Sequence, residues 1–235
     1  MIDYIEGHTL LINKPLRWTS FDVVKKIRNC LLTYLQLKKI KVGHAGTLDP
    51  LADGLLIVCT GKFTKRINEF QAKEKEYIAE FTLGATTPSF DLETEVNETF
   101  DYSHITDDML KKTAKSLTGN IMQAPPIFSA IKQDGKRLYE YARKGENRKI
   151  KERMVNILKF ELVKVEMPKV YCKIVCSKGT YIRSLAYSFG KNLNSGAHLS
   201  QLTRTRIGNF KLSKAIDIQE FIDSHSKRNN QISEH

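Results

Sequence analysis

Long apolar runs are missing from this chain of 235 residues. The longest, Leu55 to Cys59, falls far short of the roughly 20 residues that a membrane helix needs. The opening MIDYIEGHTLLINKP has no charged segment followed by an apolar one, so no signal peptide is read there and a cytoplasmic location is expected. Cysteine is scarce: Cys30, Cys59, Cys172 and Cys176 are scattered, without the C-x2-C or His-paired spacing of a zinc site. Cys172 and Cys176 stand on one face of a strand-like stretch and read as small core residues. A phosphate-cradling loop is absent as well, because Gly54 and Gly61 are too far apart and Lys62 is followed by Phe63, not by Ser or Thr. No internal repeat is found.

Acidic residues are the minority. Asp plus Glu number 26 against 38 Lys plus Arg, a net charge of +12 that suits a polyanionic partner. Residues 132–153 carry Lys132, Lys136, Arg137, Arg143, Lys144, Arg148, Lys149, Lys151 and Arg153, with Tyr139 and Tyr141 among them. Residues 199–214 add Arg204, Arg206, Lys211 and Lys214 and no acid, whereas residues 89–108 hold seven acids and neither Lys nor Arg. A basic face and an acidic face are therefore expected, and cations interleaved with aromatic rings suit RNA or single strands. With 41% hydrophobic and 27% charged residues the chain is otherwise of ordinary globular composition, with a sizeable core.

Periodicity orders the elements. TLLINKP reads as a strand stopped by Pro15, and Ser20 as the cap of an apolar-periodic helix, FDVVKKIRNCLLTYL. LLIVC reads as a buried strand, KEYIAEFTLGATT as a half-exposed one, and TDDMLKKTAKSLTG as a helix closed by Gly119. SAIKQDGKRLYEYARKG pairs a strand and an Asp-Gly turn with a short basic helix. VNILKFELVKVEM and KVYCKIVCS follow as antiparallel neighbours, and KGTYIRSLAYSFGKNL as a helix capped by Thr180. Strands and helices mix without regular alternation, which predicts an α+β fold with a mixed, largely antiparallel sheet.

The stretch KVGHAGTLDPLADGLLIVCTGK sets Gly43, Gly46 and Gly54 around His44 and Asp49. Pro50 drives Asp49 out of helical backbone space into an extended one, which presents its side chain instead of curling it into a cap. Asp49 and Asp53 could form a carboxylate pair, but no second ligand cluster is near and Asp53 sits in ADG, an ordinary turn sequence. Asp49 is thus the candidate reactive carboxylate; its plain alternative is a turn-forming Asp-Pro.

GHAGTLDPLADGLLIVCTGKFTK closely resembles the catalytic-loop signature of the TruB family of tRNA pseudouridine synthases, whose Asp is essential. LLINKPLRWTSFDVV resembles the family's opening motif, and KEYIAEFTLG the strand with its active-site Tyr. PPIFSAIKQDGKRLYEYARKG is similar to its RNA-gripping thumb, CSKGTYIRSLA to the motif with its Arg, and GAHLSQLTRTRIG to its closing strand. The matches span roughly residues 8–210 in the family's order.

The resemblance implies the pseudouridine synthase catalytic fold: helices flank a central sheet in a domain over 1–223, with a thumb at about 124–152. It implies isomerisation of uridine to pseudouridine at position 55 in the T-arm of tRNA, without cofactor or metal, by a monomer that needs no protein partner. Asp49 would be the catalytic carboxylate, Tyr77 the aromatic under the target base, and Arg183 the cation beside Asp49. His44 would help hold the RNA opened by base extrusion, and Tyr181 and Leu202 would line the pocket. Lys132, Arg137 and Arg143 of the thumb, with Arg204 and Arg206 of the closing strand, would grip the RNA backbone.

The chain departs from the family pattern in ATTPSFDLETE, where Pro88 and Thr94 stand at an Asp and a Gly position, and in GKFTK for Gly-x-Ala-Thr-Lys. About 25 residues follow RTRIGNF, too few for the RNA-binding PUA domain of many relatives, so recognition is expected to rest on the catalytic domain. Residues 224–235 are expected to be a disordered tail. Two other classes remain: a non-catalytic RNA-binding or RNA-folding module, and a guide-RNA-dependent pseudouridine synthase.

Overall fold

Every second side chain of β1 (Thr9–Lys14) is buried, namely Leu10, Ile12 and Lys14, as a period of two requires where one face meets a core. The computed structural model describes residues 2–146, 148 and 150–226. Helix α1 (Ser20–Tyr34) begins one residue earlier than expected: the cap is Thr19, which accepts the Asp22 amide while the Asp22 carboxylate accepts the amide of Thr19. This reciprocal box contributes about 1 kcal/mol and leaves Ser20, already inside the helix and buried, free for another partner.

β2 (Val42–His44), β3 (Ala52–Thr60) and α2 (Ile67–Ala72) follow, then β4 (Lys75–Leu83), β5 (Ala85–Thr86) and β6 (Glu98–Thr99). α3 (Asp107–Ser116) has Thr106 as its cap, and β7 (Gly119–Gln123) leads into the thumb. There β8 (Lys132–Gln133) and β9 (Lys136–Arg137) pair across Asp134 and Gly135, both at positive φ, the type I′ geometry that Asp-Gly predicts. α4 (Leu138–Ala142), β10 (Arg153–Glu166), β11 (Lys169–Cys176) and α5 (Ile182–Asn192) come next. Thr180 does not cap α5. Its hydroxyl donates to the Ser177 carbonyl at 3.0 Å, which takes it away from the helix amides, and Tyr181 occupies the cap position. β12 (Ala197–Ile207), β13 (Phe210–Lys211), β14 (Ile216–Asp217) and α6 (Ile218–Ser226) complete the order. The expected tail therefore begins too early, since Ser224 to Ser226 are helical; residues 227–235 lie outside the described residues.

The main sheet is mixed and has ten strands, along the path β14-β1-β3-β12-β4-β11-β10-β7 with β13 on β12 and β2 on β3. β1 and β14 run parallel, while β1 with β3, β10 with β11 and β10 with β7 are antiparallel. The fold is α+β, a large mixed sheet flanked by helices, as expected. The chain divides into two compact units, one up to Glu76 and again from Thr203, the other Tyr77–Leu202.

In the first unit β3 is apolar on both faces. Leu56 and Val58 join Leu10, Ile12, Val24, Ile27 and Phe221 in one cluster, and Leu55, Ile57 and Cys59 join Phe70 and Ile207 in another. This is why LLIVC reads as an unbroken apolar run instead of an alternating one. Truncating Ile57 to Ala would cost about 2–5 kcal/mol by cavity formation. In the second unit Phe81, Phe160 and Phe189 meet ring to ring at 5.5–6.0 Å, and Cys172 and Cys176 are buried as small core residues.

Candidate active site

In the first unit, Asp49 opens a tight turn: its carbonyl accepts the Ala52 amide at 3.1 Å, with Pro50 in the second position, where a fixed φ is favoured. The residue before it is held on both sides. Leu48 donates its amide to Ser20 Oγ at 2.9 Å, and Ser20 Oγ donates to the Leu48 carbonyl at 3.2 Å. The residue after it is tied too, since the Arg17 amide donates to the Pro50 carbonyl at 2.7 Å. Gly46 and Gly54 adopt φ of +100° and +97°. At Gly54 a Cβ would meet the Arg204 carbonyl oxygen at 2.5 Å and amide nitrogen at 2.8 Å, so only glycine lets β3 lie this close to β12.

Arg204 itself is 1% exposed, which overturns its reading as an RNA-gripping cation. It donates from Nε to the Leu55 carbonyl at 2.8 Å, from Nη1 to Thr47 at 3.4 Å and from Nη2 to Gly46 at 3.0 Å. Burial pushes the half-buried His44 imidazole below its ordinary value and the Arg204 charge adds to the shift, so His44 is neutral at pH 7. Lys14, which sequence reasoning did not single out, is fully buried and donates to the carbonyls of Pro15 at 2.9 Å and Trp18 at 2.6 Å. Burial pulls its ammonium down to about 8, against the opposing charges of Asp53 and Asp49.

In the second unit, Arg183 lies in the first turn of α5 and is 3% exposed. Its Nη1 donates to the carbonyls of Phe128 at 3.0 Å and Ser89 at 3.3 Å, and its Nε stands 3.5 Å from Asp91 Oδ2. Asp91 comes from the segment that departs from the family pattern, and that segment is closely bonded. Thr87 and Ser89 donate to the Asp91 carbonyl, Ser89 and Thr94 exchange bonds, and the Glu93 amide donates to Asp91 Oδ1. Thr94, at the family's Gly position, is thus part of the lock. The sequence counted Asp91 among the acids of an exposed face; it is buried against Arg183.

Gln123 grips Tyr181 at both backbone groups, at 3.1 and 2.8 Å, and the Arg153 guanidinium lies 5.0 Å from the Tyr181 ring centre. Tyr77 on β4 and Leu202 on β12 are the first and last residues of this unit, both buried. The loop of the first unit thus gathers His44, Asp49 and Arg204, and the start of α5 gathers Tyr181 and Arg183.

The thumb keeps several cations exposed, while Arg148 pairs with Asp134 at 3.4 Å and Glu146 at 3.3 Å and Arg143 lies 3.9 Å from Glu93. Lys132, Arg137 and Arg143 are exposed, Arg137 and Arg143 lie 5.9 and 5.3 Å from the Tyr139 ring centre, and Arg148 lies 4.2 Å from that of Tyr141. Lys149 lies outside the described residues. Arg206 is already engaged by carboxylates, Glu74 at 2.6 Å and Glu76 at 3.7 Å, so the closing strand offers less free charge than its sequence suggests. Among the described residues no helix is long and apolar enough to cross a membrane, and no group of three or more His, Cys, Asp or Glu is placed to hold a metal.

The fold is that of the pseudouridine synthases. A chain of a Cbf5-Nop10-Gar1 complex is similar over 97% of this chain with a TM-score of 0.73 and 28% identity. A chain of an H/ACA RNP bound to a substrate RNA containing 2'-deoxyuridine is similar over 97% with a TM-score of 0.70 and 26% identity. This chain spans 57% and 56% of the length of those two. Sequence narrows the class: the model of the TruB family pseudouridylate synthase (N terminal domain) matches residues 33–182, and the chain belongs to that family. The tRNA pseudouridine synthase B of Flavobacterium johnsoniae is 55% identical over 223 residues, 94% of this chain and 97% of that protein. That of Bacteroides fragilis (strain YCH46) is 49% identical over 233 residues, 99% of this chain and 100% of that one.

Proposed function

We propose that this chain converts uridine to pseudouridine in tRNA, at position 55 of the T-arm, with Asp49 as the catalytic carboxylate. The observation that carries the reading is the Asp49 loop, tied to Ser20, Arg17 and Arg204 on either side of one carboxylate. Relatives covered almost end to end are named for the same reaction class.

The reaction breaks the bond from ribose C1′ to N1 and forms one from C1′ to C5. The C5 proton leaves, N1 gains a proton, and no electrons are exchanged. The two routes open to Asp49, attack on the nucleoside or removal of a ribose proton, both start from an ionised carboxylate. Arg183 is assigned the cation that favours this ionised state. Tyr77 is assigned to stack on the base, Tyr181 and Leu202 to line its pocket, and His44, neutral, to help hold the opened RNA. Extruding a paired or stacked uridine costs a few kcal/mol, which contacts from Lys132, Arg137 and Arg143 to phosphate offset.

In this reading residues 1–223 act as one catalytic domain with a thumb at about 124–152, as a monomer in the cytoplasm without an obligatory protein partner. The test is turnover on an unmodified tRNA transcript with no other protein or RNA present. Pseudouridine at position 55 is expected. Turnover only after a guide RNA is added would favour the guide-dependent class, and binding without turnover a non-catalytic module.

A further inference from the structure

We propose that Arg204 is a positioning residue for this reaction, its buried guanidinium fixing the backbone of the loop that presents Asp49. The proposal rests on the reading of Asp49 as the catalytic carboxylate. Three donors of one rigid plane reach carbonyls on both sides of Asp49: Gly46 and Thr47 before it, Leu55 after it. A guanidinium holds its N–H groups in a fixed fork, so three bonded carbonyls are fixed relative to one another as well as to the arginine. A lysine ammonium, a single point on a flexible stem, cannot do this.

The backbone of Arg204 adds a second constraint. Its carbonyl and amide lie against Gly54, where a Cβ would come within 2.5 and 2.8 Å, so β12 also limits where the downstream end of the loop can lie. Energetics argue that the residue does more than fill space. Arg204 is among the largest fully buried side chains, and the three bonds described above all go to neutral backbone carbonyls. Burying a cation is expensive, and an apolar side chain of similar volume would be the cheaper filler. Its charge is nevertheless felt locally, since it pushes both His44 and Lys14 toward their neutral forms.

The experiment compares the parent with Arg204→Lys, Arg204→Met and Asp49→Asn. It reads the single-turnover rate at saturating tRNA, the tRNA dissociation constant, the melting temperature and the His44 titration by NMR. Arg204→Lys should fold, bind tRNA within about threefold of the parent and react at least tenfold more slowly. Arg204→Met should react more slowly still, and its His44 midpoint should rise because the neighbouring cation is gone. Added methylguanidinium should partly restore the rate of an Arg204→Ala chain. A rate for Arg204→Lys within threefold of the parent overturns the proposal, as does a deficit that disappears once tRNA is saturating, which would make Arg204 an RNA contact. If no Arg204 variant folds, the guanidinium is a stability element and the proposal fails. Undiminished turnover by Asp49→Asn would instead remove the reading of Asp49, whatever the Arg204 variants do.

Discussion

Arg183 Nε stands 3.5 Å from Asp91 Oδ2, with the two side chains 3% and 5% exposed. A buried pair of this kind contributes little while whole, but removing one partner takes a charge contact from the other inside the protein, at up to roughly 3–5 kcal/mol. Asp91→Asn should therefore lower stability in urea unfolding by about 3 kcal/mol. Combining it with Arg183→Met should cost less than the sum of the two single losses. Strictly additive losses would show that the two side chains do not act as a pair.

Arg183→Lys keeps the charge and loses the planar fork that spans Asp91, Phe128 and Ser89. A loss of tenfold or more in single-turnover rate is expected, about 1.4 kcal/mol of barrier, and Arg183→Met should lose far more. Rates and pH profiles equal to the parent for both variants would reduce Arg183 to a structural cation.

Asp49→Asn is nearly isosteric, and the Asp49 turn is made by backbone atoms, so the loop should survive it. Pseudouridine formation should vanish while tRNA affinity stays within a few-fold. Repeated turnover by this variant, measured on unmodified transcript, would end the assignment.

Lys14 sets an alkaline dependence. Its folded value is lowered from 10.5 to about 8 by burial, so the unfolded chain binds the extra proton between those two pH values and stability rises with pH across that window. Below pH 8 both states are protonated and the burial cost is fully present. Relative to Lys14→Met, the parent should gain up to about 3 kcal/mol between pH 8 and pH 10.5. A pH-independent difference in denaturant unfolding would contradict the buried, partly neutralised lysine.

Lys132, Arg137 and Arg143 are exposed, the two arginines beside the Tyr139 ring and Arg143 also 3.9 Å from Glu93, so their contribution to RNA binding should be ionic and additive. Replacing Lys132, Arg137 or Arg143 by Ala should each shallow the log–log salt slope of tRNA binding by somewhat under one unit. An isolated T-arm hairpin should behave like full tRNA. A hairpin that neither binds nor reacts, beside an active full tRNA, would move recognition elsewhere on the chain.

Local chemistry was legible where one residue type decides the backbone. Asp134-Gly135 announced its hairpin turn, Pro50 announced a carboxylate at a turn, and LLIVC announced a strand covered on both faces. What escaped is pairing across long sequence separation. Arg204 and Arg206 look alike in TRTRI and share one face of β12, yet one is swallowed by the loop carbonyls and the other bonded to Glu74, because a two-residue period does not say how far along a face the cover extends. Asp91 was hidden for the same reason among surface acids, its partner Arg183 lying far along the chain. Thr19 and Ser20 both fit a helix cap, and only the reciprocal bond with Asp22 chooses the first.

That choice leaves the Ser20 hydroxyl to hold both backbone groups of Leu48 in a buried place. The Leu48 amide can therefore meet deuterium only when the start of α1 and the loop part company. Its protection should follow that of the α1 core, while the amide of exposed Thr47 exchanges on its own faster clock. Through one hydroxyl, the segment presenting Asp49 inherits the opening cooperativity of a helix instead of the looseness of a loop.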